Sequence, residues 1–185
     1  MISAIKADTK EKMDKAIESL KKSFQKIRTG RATPDMLDGI TVESYGAQSP
    51  INQVGSVSVP EARLLVIQPW DKTLLPEIEK SILASNLGLA PQSDGNVIRL
   101  SIPALTEDRR KELVKQAKSL GEDAKVSIRN VRRDGNDQLK KAEKAKDINE
   151  DLMKDGMDEI QTLTDGYVKS IDELVKVKDE EIMSV

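Results

Sequence analysis

LTEDRRKELVKQAKSLGEDAKVSIRNVRRDGNDQLKKAEKAKDI, the stretch from Leu105 to Ile148, decides the fold. Nothing after Pro103 breaks a helix, so the segment reads as one long helix. Leu113, Ala117, Leu120, Ala124, Ile128 and Val131, continued by Gly135 and Ala142, recur at steps of three and four. That spacing holds them on one stripe, which needs partner helices to cover it. Lys111, Lys115, Lys118, Lys125, Arg129, Arg132, Arg133 and Lys140 fall within roughly a third of the circumference, opposite that stripe. A lysine-rich face is ordinarily just solvated. Three arginines at i, i+3 and i+4 are different, because their planar forks suit phosphate and their charges repel one another until a partner relieves them.

Working outward from this segment, the N-terminal stretch carries Met13, Ile17, Leu20, Phe24 and Ile27 at near-heptad intervals. It predicts a first helix, N-capped by Ser3 and closed by Gly30, that crosses its partners at a shallow angle. Beyond the long segment, Asp147-Ile-Asn149-Glu-Asp makes a turn and an N-cap. A third helix then carries Met153, Met157, Ile160, Leu163, Tyr167, Ile171, Leu174 and Ile182.

Between the first two helices the period changes. Ile40–Tyr45, Val54–Val59, Leu64–Ile67 and Asn96–Ile102 are short β-branched runs separated by Gly and Pro. Pro76 opens a helix over Glu77–Ser85, and Gly88 with Pro91 ends it. The fold class is therefore α+β, an elongated three-helix bundle with an inserted small β/α/β domain. The expected division is 1–30 with 104–185 for the bundle and 31–103 for the insert. Two short crossings, at Gly30-Arg31 and at Pro103-Ala104, would join them and act as a hinge. Arg28 and Arg31 flank Gly30, either to satisfy helix-end carbonyls or to meet phosphate. Trp70 reads as a core or interface anchor rather than a base-stacking platform, since it has no aromatic neighbours in sequence. Asp94-Gly95 reads as a turn.

Composition narrows the function. The chain has 185 residues and a formal net charge of -2, so any nucleic-acid contact must come from local asymmetry such as the arginine stripe. With no cysteine and no histidine, thiol nucleophiles, disulfides, Cys/His zinc sites and imidazole catalysis are excluded. No apolar run is long enough for a membrane span and the start has no signal core, so a cytoplasmic protein is expected.

Several stretches together resemble ribosome recycling factors of the bacterial type, in order along the full length. They are Ile27-Arg-Thr-Gly-Arg-Ala-Thr-Pro34, Pro69-Trp-Asp71, Asn86-Leu-Gly-Leu89, Gly95-Asn-Val-Ile-Arg-Leu100, the start of the long helix at Leu105–Leu113, Arg129-Asn-Val-Arg-Arg-Asp134 and Leu163-Thr-Asp165. The resemblance implies an L-shaped molecule similar in outline to transfer RNA. It also implies binding to the post-termination ribosome through large-subunit rRNA, and subunit separation with elongation factor G, which hydrolyses the GTP. No cofactor of the chain's own, no small-molecule substrate, no membrane and a monomeric state are expected. The family's RNA-contacting positions map onto Arg129, Arg132 and Arg133, with Arg28, Gly30 and Arg31 at the first crossing. Lys125, Lys6 and Lys10 are expected to extend the patch, the last two because an antiparallel first helix brings them near the level of the arginines. The sequence departs from the family's usual pattern at Ser44, Gly135 and Ala104, positions that bear on stability and hinge stiffness.

Two other classes of function remain to be weighed. An enzyme would have only lysines and carboxylates such as Asp134 with Asp137, or Asp179 with Glu180 and Glu181, and these fall on charged helix surfaces. A scaffold would bind protein partners through the acidic last helix, and its binding would lack the steep salt dependence of phosphate contacts.

Overall fold

The computed structural model describes residues 1–184 and divides the chain into two compact units, Met1–Arg28 with Glu107–Ser184, and Thr29–Thr106. The first unit is three helices, α1 (Ile2–Gln25), α4 (Glu107–Lys144) and α5 (Glu150–Met183). The second holds β1 (Thr41–Ser44), β2 (Ala47–Pro50), the one-turn α2 (Ile51–Val54), β3 (Gly55–Glu61), β4 (Leu64–Pro69), α3 (Leu75–Ala84), β5 (Pro91–Ser93) and β6 (Ile98–Ser101).

The sequence periods appear in the bundle as buried side chains. Met13, Leu20 and Phe24 of α1, Leu113, Ala117, Ala124 and Ile128 of α4, and Ile160, Ile171 and Ile182 of α5 are all buried. Two α4 positions that the three-and-four reading passed over, Gly121 and Leu139, are buried as well. Leu139 joins Ile5 and Ile160 in a cluster against which Ile2, Ile148, Met153 and Met157 pack. Buried glycines let the helices approach closely. A Cβ on Gly135 would lie 2.7 Å from Thr9 Oγ1 and 3.0 Å from Ile160 Cδ1, and one on Gly121 would lie 2.5 Å from Val175 Cγ2.

The helix ends differ from the sequence reading. The first helix begins with Met1 at its N-cap, so Ser3 lies inside it, and it ends at Gln25 with a tight last turn. Gly30 is therefore not its cap. Residues 26–33 are irregular, Gly30 has φ 78°, and Ala32 is buried in the other unit with its N–H donating to Ala62 O at 2.7 Å. The pull of that core outweighs a local sequence that could have continued the helix. The long helix stops at Lys144 rather than near Ile148, because Lys146 takes the left-handed conformation (φ 63°). Asp147 N–H then bonds to Ala142 O and Lys146 N–H to Glu143 O, the paired closure usually built on glycine. Asn149 caps α5 as expected, accepting from the Leu152 N–H at 2.8 Å.

The small unit has two antiparallel sheets, β1-β2 and a four-stranded sheet in the order β3-β4-β6-β5. Alternation decides its faces: Leu65 and Ile67 of β4, and Ile98 and Leu100 of β6, point into a core shared with Ile78 and Ile82 of α3. Tyr45 and Gly46 both have positive φ and close the β1-β2 hairpin with the two-residue turn that suits strand twist. Trp70 corrects the core expectation. It is 70% exposed, because it follows the inward-facing Pro69 and alternation turns it out. Asp94 does more than mark a turn: one carboxylate oxygen accepts from the Asn96 and Val97 N–H groups and the other pairs with Arg99 at 2.7 Å. These bonds hold its carboxyl down at about 2.

The approach of Thr9 to Gly135 yields a direct test. Thr9 is buried and its hydroxyl already donates to Ile5 O, so it cannot easily move aside. Gly135→Ala should lower stability by about 1–2 kcal/mol in urea unfolding despite the better helix propensity of alanine. Combined with Thr9→Ala, the loss should be smaller than the sum of the two single losses, because the added methyl then fills space the threonine vacated.

Candidate nucleic-acid interface

A long helix positions charge well when both of its ends are satisfied. Glu107 and Asp108 sit in the first turn of α4 and Lys141 and Lys144 in the last, each opposite in sign to the helix dipole. Along its length α4 presents Arg129, Arg132 and Arg133 within two turns. Arg129 and Arg133 are exposed, and neither forms an ion pair among the described residues. Arg132 is half-buried, and its Nη1 donates to Gln161 Oε1 of α5 at 3.2 Å. Thus none of the three arginines forms an ion pair with a carboxylate among the described residues.

The lysines behave differently. Lys125 has a side chain only 16% exposed and lies against α5, bonded to Asp172 at 2.5 Å and to Glu122 at 3.3 Å. Asp172 raises its pKa above the ordinary lysine range. It therefore belongs to the seam between α4 and α5, not to the outer face. The reason is geometric: a helix in a three-helix bundle meets two neighbours, so positions flanking its buried stripe are covered too. Lys125 and Arg132 both fall on such a flank.

Lys6 and Lys10 are not brought beside the arginines. Lys6 pairs with Glu159 at 2.8 Å and Lys10 with Asp14 at 2.9 Å, while Asp14 also accepts from the Tyr167 hydroxyl of α5. That hydroxyl is pushed up to about 12, first by burial and then by the Asp14 bond. These residues occupy the seam between α1 and α5, whereas Arg132 flanks the seam between α4 and α5 and Arg129 and Arg133 are exposed on α4. The α5 helix stands between the two groups. Lys12 and Lys15 of α1 are neutralised in the same way, by Asp8 and Glu11. Of the expected site residues, only Lys6 borders the cleft of about 690 Å³ between α1 and α5, which Asp158, Leu163 and Tyr167 also line.

Arg28 is exposed at the end of the first unit and Arg31 is exposed at the start of the second. Neither has an ion-pair partner among the described residues. The sequence reading missed Gln161 and Asp165, whose i, i+4 spacing on one helix is a recognisable amide–carboxylate pair once the helix facing them is known.

Forks on a rigid helix, uncompensated by acids, suit an extended phosphate backbone better than a small molecule. The class this defines is a two-unit α+β protein whose helical unit carries a cluster of arginines that form no ion pair among the described residues. A family model described as ribosome recycling factor matches residues 20–183. A ribosome-recycling factor of Bacillus subtilis is 56% identical over 185 residues, covering 100% of both chains. One from Carboxydothermus hydrogenoformans is 55% identical over the same length, again covering 100% of both. A solution structure of a ribosome recycling factor aligns with a TM-score of 0.76 at 41% identity, covering 100% of this chain and 98% of that one. A second structure models the Thermus thermophilus ribosome recycling factor and the Escherichia coli elongation factor G bound to the E. coli post-termination complex. It aligns with a TM-score of 0.64 at 41% identity, covering 99% of each chain. The chain belongs to the ribosome recycling factor family.

The contrast between Lys125 and the arginines can be measured. Lys125→Met should lower the melting temperature by the equivalent of about 1 kcal/mol, through loss of the Asp172 pair, while leaving the salt dependence of ribosome binding unchanged. A lower salt slope would return Lys125 to the interface.

Proposed function

We propose that this chain binds the ribosome after termination and, with elongation factor G and the GTP that this partner hydrolyses, promotes subunit separation and release of mRNA and tRNA. It does so as a non-enzymatic, monomeric factor in the cytoplasm, with no cofactor of its own. No helix among the described residues is long and apolar enough to cross a membrane. The observation that carries the reading is the cluster Arg129, Arg132 and Arg133 on α4, none of which pairs with an acid among the described residues, in a chain 41% identical to one bound on a post-termination complex.

On this reading Arg129, Arg132 and Arg133 contact the phosphate backbone of large-subunit rRNA, with Arg28 and Arg31 contributing near the first crossing. Gly30, Pro103 and Ala104 act as the hinge. Both crossings are irregular, over 26–33 and 102–106. Gly30, at φ 78°, holds a conformation that other residues reach only with strain.

Arg132→Ala should weaken ribosome binding by about 1–3 kcal/mol and lower the salt slope by about one contact, while melting stays nearly unchanged. Unchanged affinity at physiological salt would remove Arg132 from the interface. For the hinge, Ala104→Pro restricts the second crossing, and Gly30→Ala takes away the free access to positive φ on which the first depends. Ribosome affinity should stay within a few fold while subunit splitting, followed by light scattering with elongation factor G and GTP, becomes slower. A wild-type splitting rate would show that bending there does not limit the step.

A further inference from the structure

Arg132 differs from its two neighbours in being held. Its Nη1 donates to Gln161 Oε1, and Gln161 Nε2 in turn donates to Asp165 Oδ1 at 2.8 Å. Only one orientation of the Gln161 amide satisfies both partners, because a guanidinium can only donate and an ionised carboxylate can only accept. Asp165 therefore sets which end of the amide faces α4. Without it the amide could turn its NH₂ toward Arg132 and repel it.

The choice of an amide matters as much as its direction. A carboxylate at position 161 would hold the guanidinium at least as firmly but would cancel its charge. The same seam shows that alternative at Lys125, where Asp172 grips an ammonium directly. At Arg132 the acid is set back by one side chain, with the neutral amide between. The arginine keeps one edge fixed and its remaining N–H donors and full charge open.

We propose that Gln161 and Asp165 are positioning residues, which hold Arg132 against α5 with its charge intact so that it meets one phosphate of an RNA backbone. This inference rests on the ribosome-binding reading given above. The clasp restricts a long side chain before binding, so less rotamer freedom is lost when the phosphate arrives.

The test uses the full chain labelled at one engineered cysteine, titrated with vacant ribosomes across a salt series, with Arg132→Ala as the benchmark. Gln161→Glu should weaken binding about tenfold and lower the salt slope by about one, matching Arg132→Ala, because the pair becomes a neutral ion pair. Combined with Arg132→Ala it should add no more than about twofold, since its effect runs through that arginine. Asp165→Asn still presents an oxygen to the Gln161 amide and should bind within about twofold of wild type, whereas Asp165→Ala should lose about three- to fivefold. Melting curves of all variants report the fold separately. If Arg132→Ala binds weakly while Gln161→Glu and Asp165→Ala bind like wild type, the positioning role is overturned and the binding role of Arg132 stands. Full additivity of Gln161→Glu with Arg132→Ala also overturns it, since the added acid would then act by general repulsion. If Arg132→Ala itself binds like wild type, both the clasp and the underlying reading of Arg132 fall.

Discussion

The close approach of α1, α4 and α5 is the constraint on which the helical unit depends. Thr9 lies against the Gly135 backbone and Val175 against Gly121, at distances that leave no space for another carbon. Such contacts exist only where one partner has no side chain, and they lock the axial register of the helices as well as their separation. A slip of one turn would set a larger residue into each gap. Fixed register is in turn what places Arg132 opposite Gln161 and Lys125 opposite Asp172.

Charge on the bundle is organised by which residues find partners, more than by where the lysines and arginines occur. The α1 lysines Lys6, Lys10, Lys12 and Lys15 each meet an acid one turn away or across a seam. Exposed pairs of this kind add little to stability, but they cancel charge locally. Arg129, Arg132 and Arg133 of α4 form no such pair among the described residues, unlike Arg109 near the start of that helix, which meets Glu112. In a chain of net charge -2 the result is a short positive segment on a nearly neutral surface. Such a segment can direct a phosphate backbone to one side of the molecule without making the whole protein stick to nucleic acid.

The small unit is held by different means. Its core is made by alternating residues of β4 and β6 against one face of α3, and its turns are pinned by carboxylates. Asp71 accepts from the Thr73 N–H and from the Tyr45 hydroxyl, and Asp94 accepts from two backbone N–H groups and Arg99. Each acid fixes a loop that lacks regular structure of its own. Trp70 remains on the surface beside Asp71.

The sequence by itself determined the elements whose signal is local. Steps of three and four marked three helices, β-branched runs marked the strands, Asn149 announced a helix start, and the spacing of Arg129, Arg132 and Arg133 placed them together on α4. Tertiary structure decided what depends on neighbours distant in the chain. The first helix gives way at Gln25 because Ala32 is drawn into the other core, and the long helix closes at Lys146 through a left-handed turn that no glycine signals. Whether a basic residue is free could not be read from its own helix. Lys125 shares a stripe with the arginines, yet Asp172 from the facing helix neutralises it, and Lys6 and Lys10 lie across α5 from the stripe they were expected to extend. Periodicity gives the angle of a side chain about its own axis, whereas the partner it meets is set by the register of a second helix, which the close-packed glycines fix only once the bundle has formed.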